Sequence, residues 1–264
     1  MSACCTTDSL HTGTPTGSEQ QIHNLPTYVT PSDNPSGSVI VIIPDMFGWK
    51  LPNTRLLADK IARETQTMVY VPDFMFGDSL PYEHLDLVTE PEGELSFVER
   101  AKFNFRRAQT FGPWMFSHRE GVSWPIINGF FEKLYKAAPS RVVLVAGYSW
   151  GGRYALLLTH RERWMMSDGA FREGGFVQAA FCAHPSLLAI PKEITAISRP
   201  ASFALGDCDE VVPMKSVERI QAGLAEKAKA MVETEVVVYE GAQHGFAIRA
   251  NLAKPMEKTQ FEEV

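Results

Sequence analysis

Two uninterrupted apolar runs rich in β-branched residues, SVIVIIPD (residues 38–45) and RVVLVAG (141–147), constrain the fold more than any other feature of the chain. A strand with one wet face alternates apolar and polar residues. A run with no polar break is buried on both faces, as in the interior of a mainly parallel sheet. Further strands are expected in TMVYVPD, FVQAAFCAH, PASFALG and TEVVVYE. Between them lie segments that read as helices: NTRLLADKIARET, with Leu56, Leu57, Ile61 and Ala62 at helical intervals, IINGFFEKLYKAA, the stretch after Ser149, and SVERIQAGLAEKAKAM. Strands and helices in alternation imply a parallel sheet with helices on both faces, joined by right-handed crossovers.

The chain of 264 residues could hold one large core or two small ones. The absence of an internal repeat or linker favours one, spanning residues 17–264. Residues 1–16, rich in Ser, Thr, Gly and Pro, read as an irregular lead-in. QQIHNLPTYVTP suits a short antiparallel hairpin on the sheet edge. The stretch from Phe74 to Arg119 breaks the regular alternation and is rich in aromatics. It is too short to bury a core of its own, so it is expected to form an irregular, lid-like pocket wall.

Net charge is −6, with no cluster of Lys and Arg suited to a phosphate backbone, which argues against nucleic acid as a partner. No run approaches the roughly 20 apolar residues of a membrane helix. The segment MSACCTTDSLHTGT lacks the basic start and apolar stretch of a secretory signal, so the expected compartment is the cytoplasm. Cys4, Cys5, Cys182 and Cys208 have neither metal-site nor disulfide spacing and are expected as free thiols.

The chemistry centres on GYSWG, residues 147–151, which places Ser149 in a GxSxG frame between an apolar strand and a helix. In a nucleophile elbow the small residues two positions either side let the chain turn sharply and expose the serine. The first N–H of the following helix, here that of Trp150, then faces the reacting carbonyl. A serine hydroxyl needs a histidine base oriented by a carboxylate, in the chain order Ser, Asp or Glu, His. His244, on a short glycine-containing loop after the last strand, is the better base than His184. GDCDE offers Asp207 and Asp209 after a strand, and Asp209, closer to the entry of the next helix, is favoured; either aspartate could instead cap that helix.

The second oxyanion donor is expected from the loop after the early strand, with Met46 N–H as the candidate. Asp45 beside it either contacts substrate or nucleophile or forms the turn. His184 ends a strand on the active edge; a structural role is favoured, with a substrate contact as the alternative. Of Phe47, Trp49, Phe74, Phe76, Trp114, Phe116 and Trp124, most pack the core or lid. Trp114 is singled out as a wall of the substrate pocket.

These segments, taken with GTPTG, LPTYVTP, VIVIIPDMFGWK, YVPDFMFGD, GYSWGGRYA, AHPS, LGDCDEVVP and YEGAQHGFAIR, make the chain resemble the dienelactone hydrolase (carboxymethylenebutenolidase-like) family of the α/β-hydrolase fold over nearly its whole length. The resemblance implies a triad of Ser149, Asp209 and His244, the acid standing four residues before Pro213. It also implies that Arg249, five residues after His244, helps hold the carboxylate of an anionic substrate, to which a guanidinium is suited by its bidentate geometry. The chain departs from the pattern twice. Ser149 stands where the lactone openers of the family carry cysteine, and Asp45 stands where they carry glutamate. The expectation is a serine hydrolase of small esters or lactones that needs no cofactor or metal, as a monomer or homodimer. Its rivals are an amide or lactam hydrolase with the same triad and a non-catalytic ligand sensor of the same fold.

Overall fold

The computed structural model describes residues 9–31, 37–88 and 95–264. Its sheet opens with a hairpin of β1 (Ser18–Ile22) and β2 (Leu25–Val29), joined by His23 and Asn24. Both turn residues take positive φ, 52° and 71°, the left-handed pair that a two-residue hairpin turn requires. Then come β3 (Val39–Ile43), α1 (Pro52–Thr65) and β4 (Met68–Pro72). Two long helices follow, α2 (Phe97–Ser117) and α3 (Glu120–Ala137), and then β5 (Val143–Tyr148) and α4 (Trp150–Leu157). The chain continues through β6 (Ala179–Ala183), the short α5 (Lys192–Thr195), β7 (Ala201–Gly206), α6 (Met214–Lys229) and β8 (Thr234–Tyr239). It closes with α7 (Phe246–Arg249) and α8 (Pro255–Glu263).

The strands form one sheet in the order β1-β2-β4-β3-β5-β6-β7-β8, antiparallel only where β2 meets β1 and β4. β3 shows why an unbroken apolar run belongs at its centre. Val39, Val41 and Ile43 face a core shared with α3, α4 and α6, while Ile40 and Ile42 face a second core shared with α1, α7 and α8. Both faces of the sheet are covered, as the sequence pattern requires.

The lead-in is tied down where it is described. His11 N–H donates to Asn53 Oδ1 at 3.0 Å, and the Ser9 hydroxyl to Ala250 O at 2.8 Å. Cys4 and Cys5 lie outside the described residues; Cys182 is a buried free thiol and Cys208 is half-buried. No described helix is long and apolar enough to cross a membrane.

The described residues between Phe74 and Arg119 correct an expectation, since they are largely helical rather than irregular. A 3-10 turn at Tyr82–Leu87 leads toward the 21-residue α2, whose start is a capping box. Ser96 Oγ accepts from Glu99 N–H, and the Glu99 carboxylate accepts from Ser96 N–H. Phe103, Phe111 and Trp114 turn inward from α2, so the excursion packs on the core as a helical wall.

Candidate active site

Ser149 sits at the carboxyl end of β5 with φ 51° and ψ −113°, a conformation rarely adopted by a residue with a side chain and held here by its surroundings. Its N–H donates to Ala183 O at 3.1 Å, and its carbonyl accepts from Gly152 N–H and Ser186 N–H, each at 3.0 Å. The flanking glycines are steric necessities. A Cβ on Gly147 would stand 2.4 Å from Gly151 O, and one on Gly151 would stand 2.0 Å from Ile43 O. The second figure also says where the elbow lies: it is pressed against the end of β3, which brings the Asp45–Gly48 loop beside Ser149.

Ser149 Oγ lies 2.8 Å from His244 Nε2, and His244 Nδ1 lies 2.9 Å from Asp209 Oδ2. With Nδ1 protonated toward the carboxylate, Nε2 is left as the acceptor for the serine hydroxyl. Asp209 is buried, and its Oδ1 also accepts from Val211 N–H at 2.7 Å and Val212 N–H at 3.1 Å. Four residues of loop place the carboxylate before α6, whose first turn it does not cap. Asp207 is used elsewhere, accepting from Gly241 N–H at 2.6 Å in the turn after β8.

These side chains open on a cavity of about 430 Å³. Met46, Trp150, Trp114 and Arg249 border it with Ser149 and His244, so the structure brings together most of the residues singled out by sequence. Met46 and Trp150 N–H find no acceptor among the described residues, which leaves both available to a developing negative charge. Trp114 stacks on His118 at 4.3 Å between ring centroids and meets Trp150 edge-on at 5.7 Å. Trp150 Nε1–H and the Tyr154 hydroxyl both donate to His118 O at 3.3 Å, fastening the end of α2 to the elbow helix.

Neither Asp45 nor His184 borders the cavity; both are buried behind its wall, Asp45 within the turn and His184 in the structural setting favoured for it. Asp45 is 0% exposed; its Oδ1 accepts from Phe47 N–H at 3.0 Å, and its Oδ2 accepts from Arg249 Nη1–H. Arg249, 3% exposed, therefore meets a carboxylate of its own chain. His184 is also 0% exposed, with its ring 5.0 Å edge-on from His244 and 5.7 Å from Phe246, and neither ring nitrogen finds a hydrogen-bond partner among the described residues. Burial, then the nearby His244 and Arg249, push its pKa well below the ordinary histidine value, so the imidazole is neutral. Burial likewise pushes the Cys182 thiol up, out of reach of thiolate chemistry.

From α2, sequence reasoning singled out Trp114 as a pocket wall but missed the rest of its cavity-facing side. Asn104, Arg107, Ala108, Phe111 and Met115 line the cavity at one-face helical spacing. The signal was present in SFVE at residues 96–99, a capping-box pattern ahead of an apolar-periodic segment.

A mainly parallel eight-stranded sheet, with a strained serine elbow after β5 and the serine, aspartate and histidine following one another along the chain, defines an α/β hydrolase. The chain belongs to the dienelactone hydrolase family, whose profile matches residues 25–262. It is 27% identical over 248 residues to the carboxymethylenebutenolidase homolog of Homo sapiens, covering 94% of this chain and 86% of that protein. It is 25% identical over 254 residues to hydrolase pyvD of Aspergillus violaceofuscus, covering 96% and 88%. Among solved structures, the propionate-bound esterase Est2 of Thermogutta terrifontis shares the fold with a TM-score of 0.57 at 14% identity, over 94% of this chain and 92% of that one.

Proposed function

We propose that this protein is a serine hydrolase that cleaves a small ester or lactone through an acyl-enzyme. The observation that carries the reading is the unbroken hydrogen-bonded chain from Ser149 Oγ through His244 to Asp209, at 2.8 Å and 2.9 Å. Ser149 Oγ attacks the carbonyl carbon while His244 Nε2 takes its proton, and Asp209 stabilises the imidazolium that forms. Met46 and Trp150 N–H meet the oxyanion. His244 then returns the proton to the departing alkoxide, which stays tethered to the acyl group when the substrate is a lactone. Water, deprotonated by His244, releases the acid and restores Ser149.

The cavity suits a compact substrate with a flat or apolar body, held between Phe47, Phe111, Trp114 and Trp150. A substrate carboxylate is better met by Arg107, half-buried in the wall, than by Arg249, whose charge already faces Asp45. The test is a panel of matched esters, lactones and lactams, with and without a carboxylate, alongside labelling by a fluorophosphonate. Turnover of esters or lactones together with stoichiometric labelling, both lost in Ser149→Ala, is the expected result. An active Ser149→Ala protein overturns the reading.

A further inference from the structure

Three apolar residues border the cavity and are also well exposed: Leu187 at 52%, Val211 at 41% and Met115 at 39%. They mark the mouth, where the cavity meets solvent. Leu187 follows β6, Val211 follows β7 and Met115 belongs to α2, so three separate segments each bring a hydrocarbon side chain to the same opening.

Leu187 carries the argument furthest. Its φ is +61°, in the left-handed region where the Cβ of an L residue crowds the neighbouring carbonyl and a bulky side chain is an outlier. Core packing does not offset that cost, because it is the next residue, Leu188, that packs on the core. The conformation is imposed from both sides. Ser186 N–H donates to Ser149 O at 3.0 Å, and Ala189 N–H donates to Glu193 Oε2 at 3.0 Å. Glu193 is buried and is gripped by Arg153 of α4, whose Nε and Nη2 donate to its Oε1 at 3.0 Å and 2.5 Å. The loop is thereby fastened to the elbow that carries the nucleophile, and it holds a strained, exposed leucine at the mouth. Val211 is fixed in the same way, its N–H donating to Asp209 Oδ1 at 2.7 Å. A strained residue favoured by neither the core nor its own backbone points to a ligand.

We propose that Leu187, Val211 and Met115 form an apolar collar that binds a hydrocarbon arm of the substrate: the ester body lies in the cavity and a chain several carbons long leaves through the mouth. This rests on Ser149 being the nucleophile of an ester hydrolase. A short ester leaves the collar hydrated, whereas a longer one buries it, and each methylene buried is worth about fourfold in affinity. None of the three side chains is charged, so the collar favours a hydrocarbon arm over an ionised one.

The experiment measures kcat/KM on two ester series, each kept below its aggregation concentration. One lengthens the acyl chain from acetyl to octanoyl on a fixed phenol, and the other lengthens the alcohol of an acetate from methyl to octyl, so that together they tell which side bears the arm. Wild type is compared with Leu187→Asn and Met115→Gln. Asparagine is close to leucine in size and tolerates the left-handed region, and glutamine keeps the helix propensity of methionine.

We expect kcat/KM of wild type to rise about tenfold or more along at least one series, and the ratio of longest to shortest ester to fall about tenfold in Leu187→Asn and severalfold in Met115→Gln. The unfolding midpoint of Leu187→Asn should equal or exceed that of wild type. A flat wild-type profile in both series overturns the proposal. An unchanged ratio in Leu187→Asn does so too, and a lowered midpoint beside it makes the leucine a structural residue. A rise that appears only above the aggregation concentration makes the mouth a contact for a lipid surface and equally overturns it. Wild-type protein that neither turns over an ester nor takes a fluorophosphonate label loses the nucleophile itself, a failure distinct from all of these that removes the proposal with it.

Discussion

Replacing Gly151 by alanine tests the elbow at the point where sequence and geometry meet most tightly. The new Cβ would stand 2.0 Å from Ile43 O, 2.6 Å from Ile43 C and 2.7 Å from Pro44 O. All three are backbone atoms at the end of a central strand, so no flexible side chain can yield. The elbow and the β3 loop must separate by about 1 Å to restore even a tight 3.0 Å contact. Overpacking of this kind costs about 1–3 kcal/mol, and the upper end applies here because β3 pairs on both edges, with β4 and β5. The same displacement carries Met46 away from Ser149, so kcat should fall about a hundredfold in addition to the stability loss. Denaturant unfolding gives the first quantity and turnover of a neutral ester the second. Gly129→Ala, in the middle of α3 where a Cβ meets nothing within 4 Å, is the control. It should stabilise by about 0.5–1 kcal/mol through helix propensity without touching kcat. A Gly151→Ala protein whose unfolding midpoint and turnover match wild type would refute the close approach of elbow and strand.

Three further outcomes follow from the same coordinates. Asp209→Asn should lower kcat about 10³–10⁴-fold by favouring the wrong His244 tautomer, whereas Asp207→Asn, which only loosens a bond to Gly241 N–H, should stay within about threefold by the same assay. Arg107→Ala should raise KM for a carboxylate-bearing ester about tenfold and leave the neutral analogue unchanged, which a pair of Michaelis curves decides. The buried, neutral His184 has a folded pKa well below 6.5, so the unfolded chain takes up a proton that the folded chain refuses. Its contribution to stability is present above pH 6.5 and is lost as pH falls below it, by up to about 1.4 kcal/mol per pH unit. His11 and His160, also lowered by burial, add in the same direction. Denaturant unfolding at pH 7 and pH 5.5 should show a smaller difference for His184→Phe than for wild type, and equal differences would contradict the assignment.

What could be read from the residues and what could not divides along a physical line. Strands buried on both faces write themselves into the sequence as unbroken apolar runs, so β3, β5 and the crossovers between them were legible. The elbow was legible too, because its demand for small residues at 147 and 151 is local. Ser149, Asp209 and His244 could be singled out because each lies in the segment directly after a recognisable strand, and strand ends converge on one edge of a parallel sheet.

Orientation across loops is different, since it depends on side chains whose partners are distant in sequence. Arg249 stands 204 residues from Asp45, and nothing in HGFAIR says whether its guanidinium faces an incoming anion or a carboxylate of its own chain. The alternation that identified the strands also hid α2. Its helical face of Asn104, Arg107, Phe111 and Met115 serves the cavity rather than the sheet, and Gly112 and Pro113 interrupt it, so its apolar period is weaker than that of a core helix. Pocket walls answer to a ligand as well as to the core, and a residue placed for the ligand breaks the period by which core residues are recognised. That is why the hydrogen-bonded Ser149, His244 and Asp209 could be singled out from sequence, while Arg107, which borders the cavity with Arg249 and which we propose as the cation for a substrate carboxylate, was not. The substrate selectivity of this protein should accordingly move with changes on α2, and its rate with changes in the loops after β3, β5, β7 and β8.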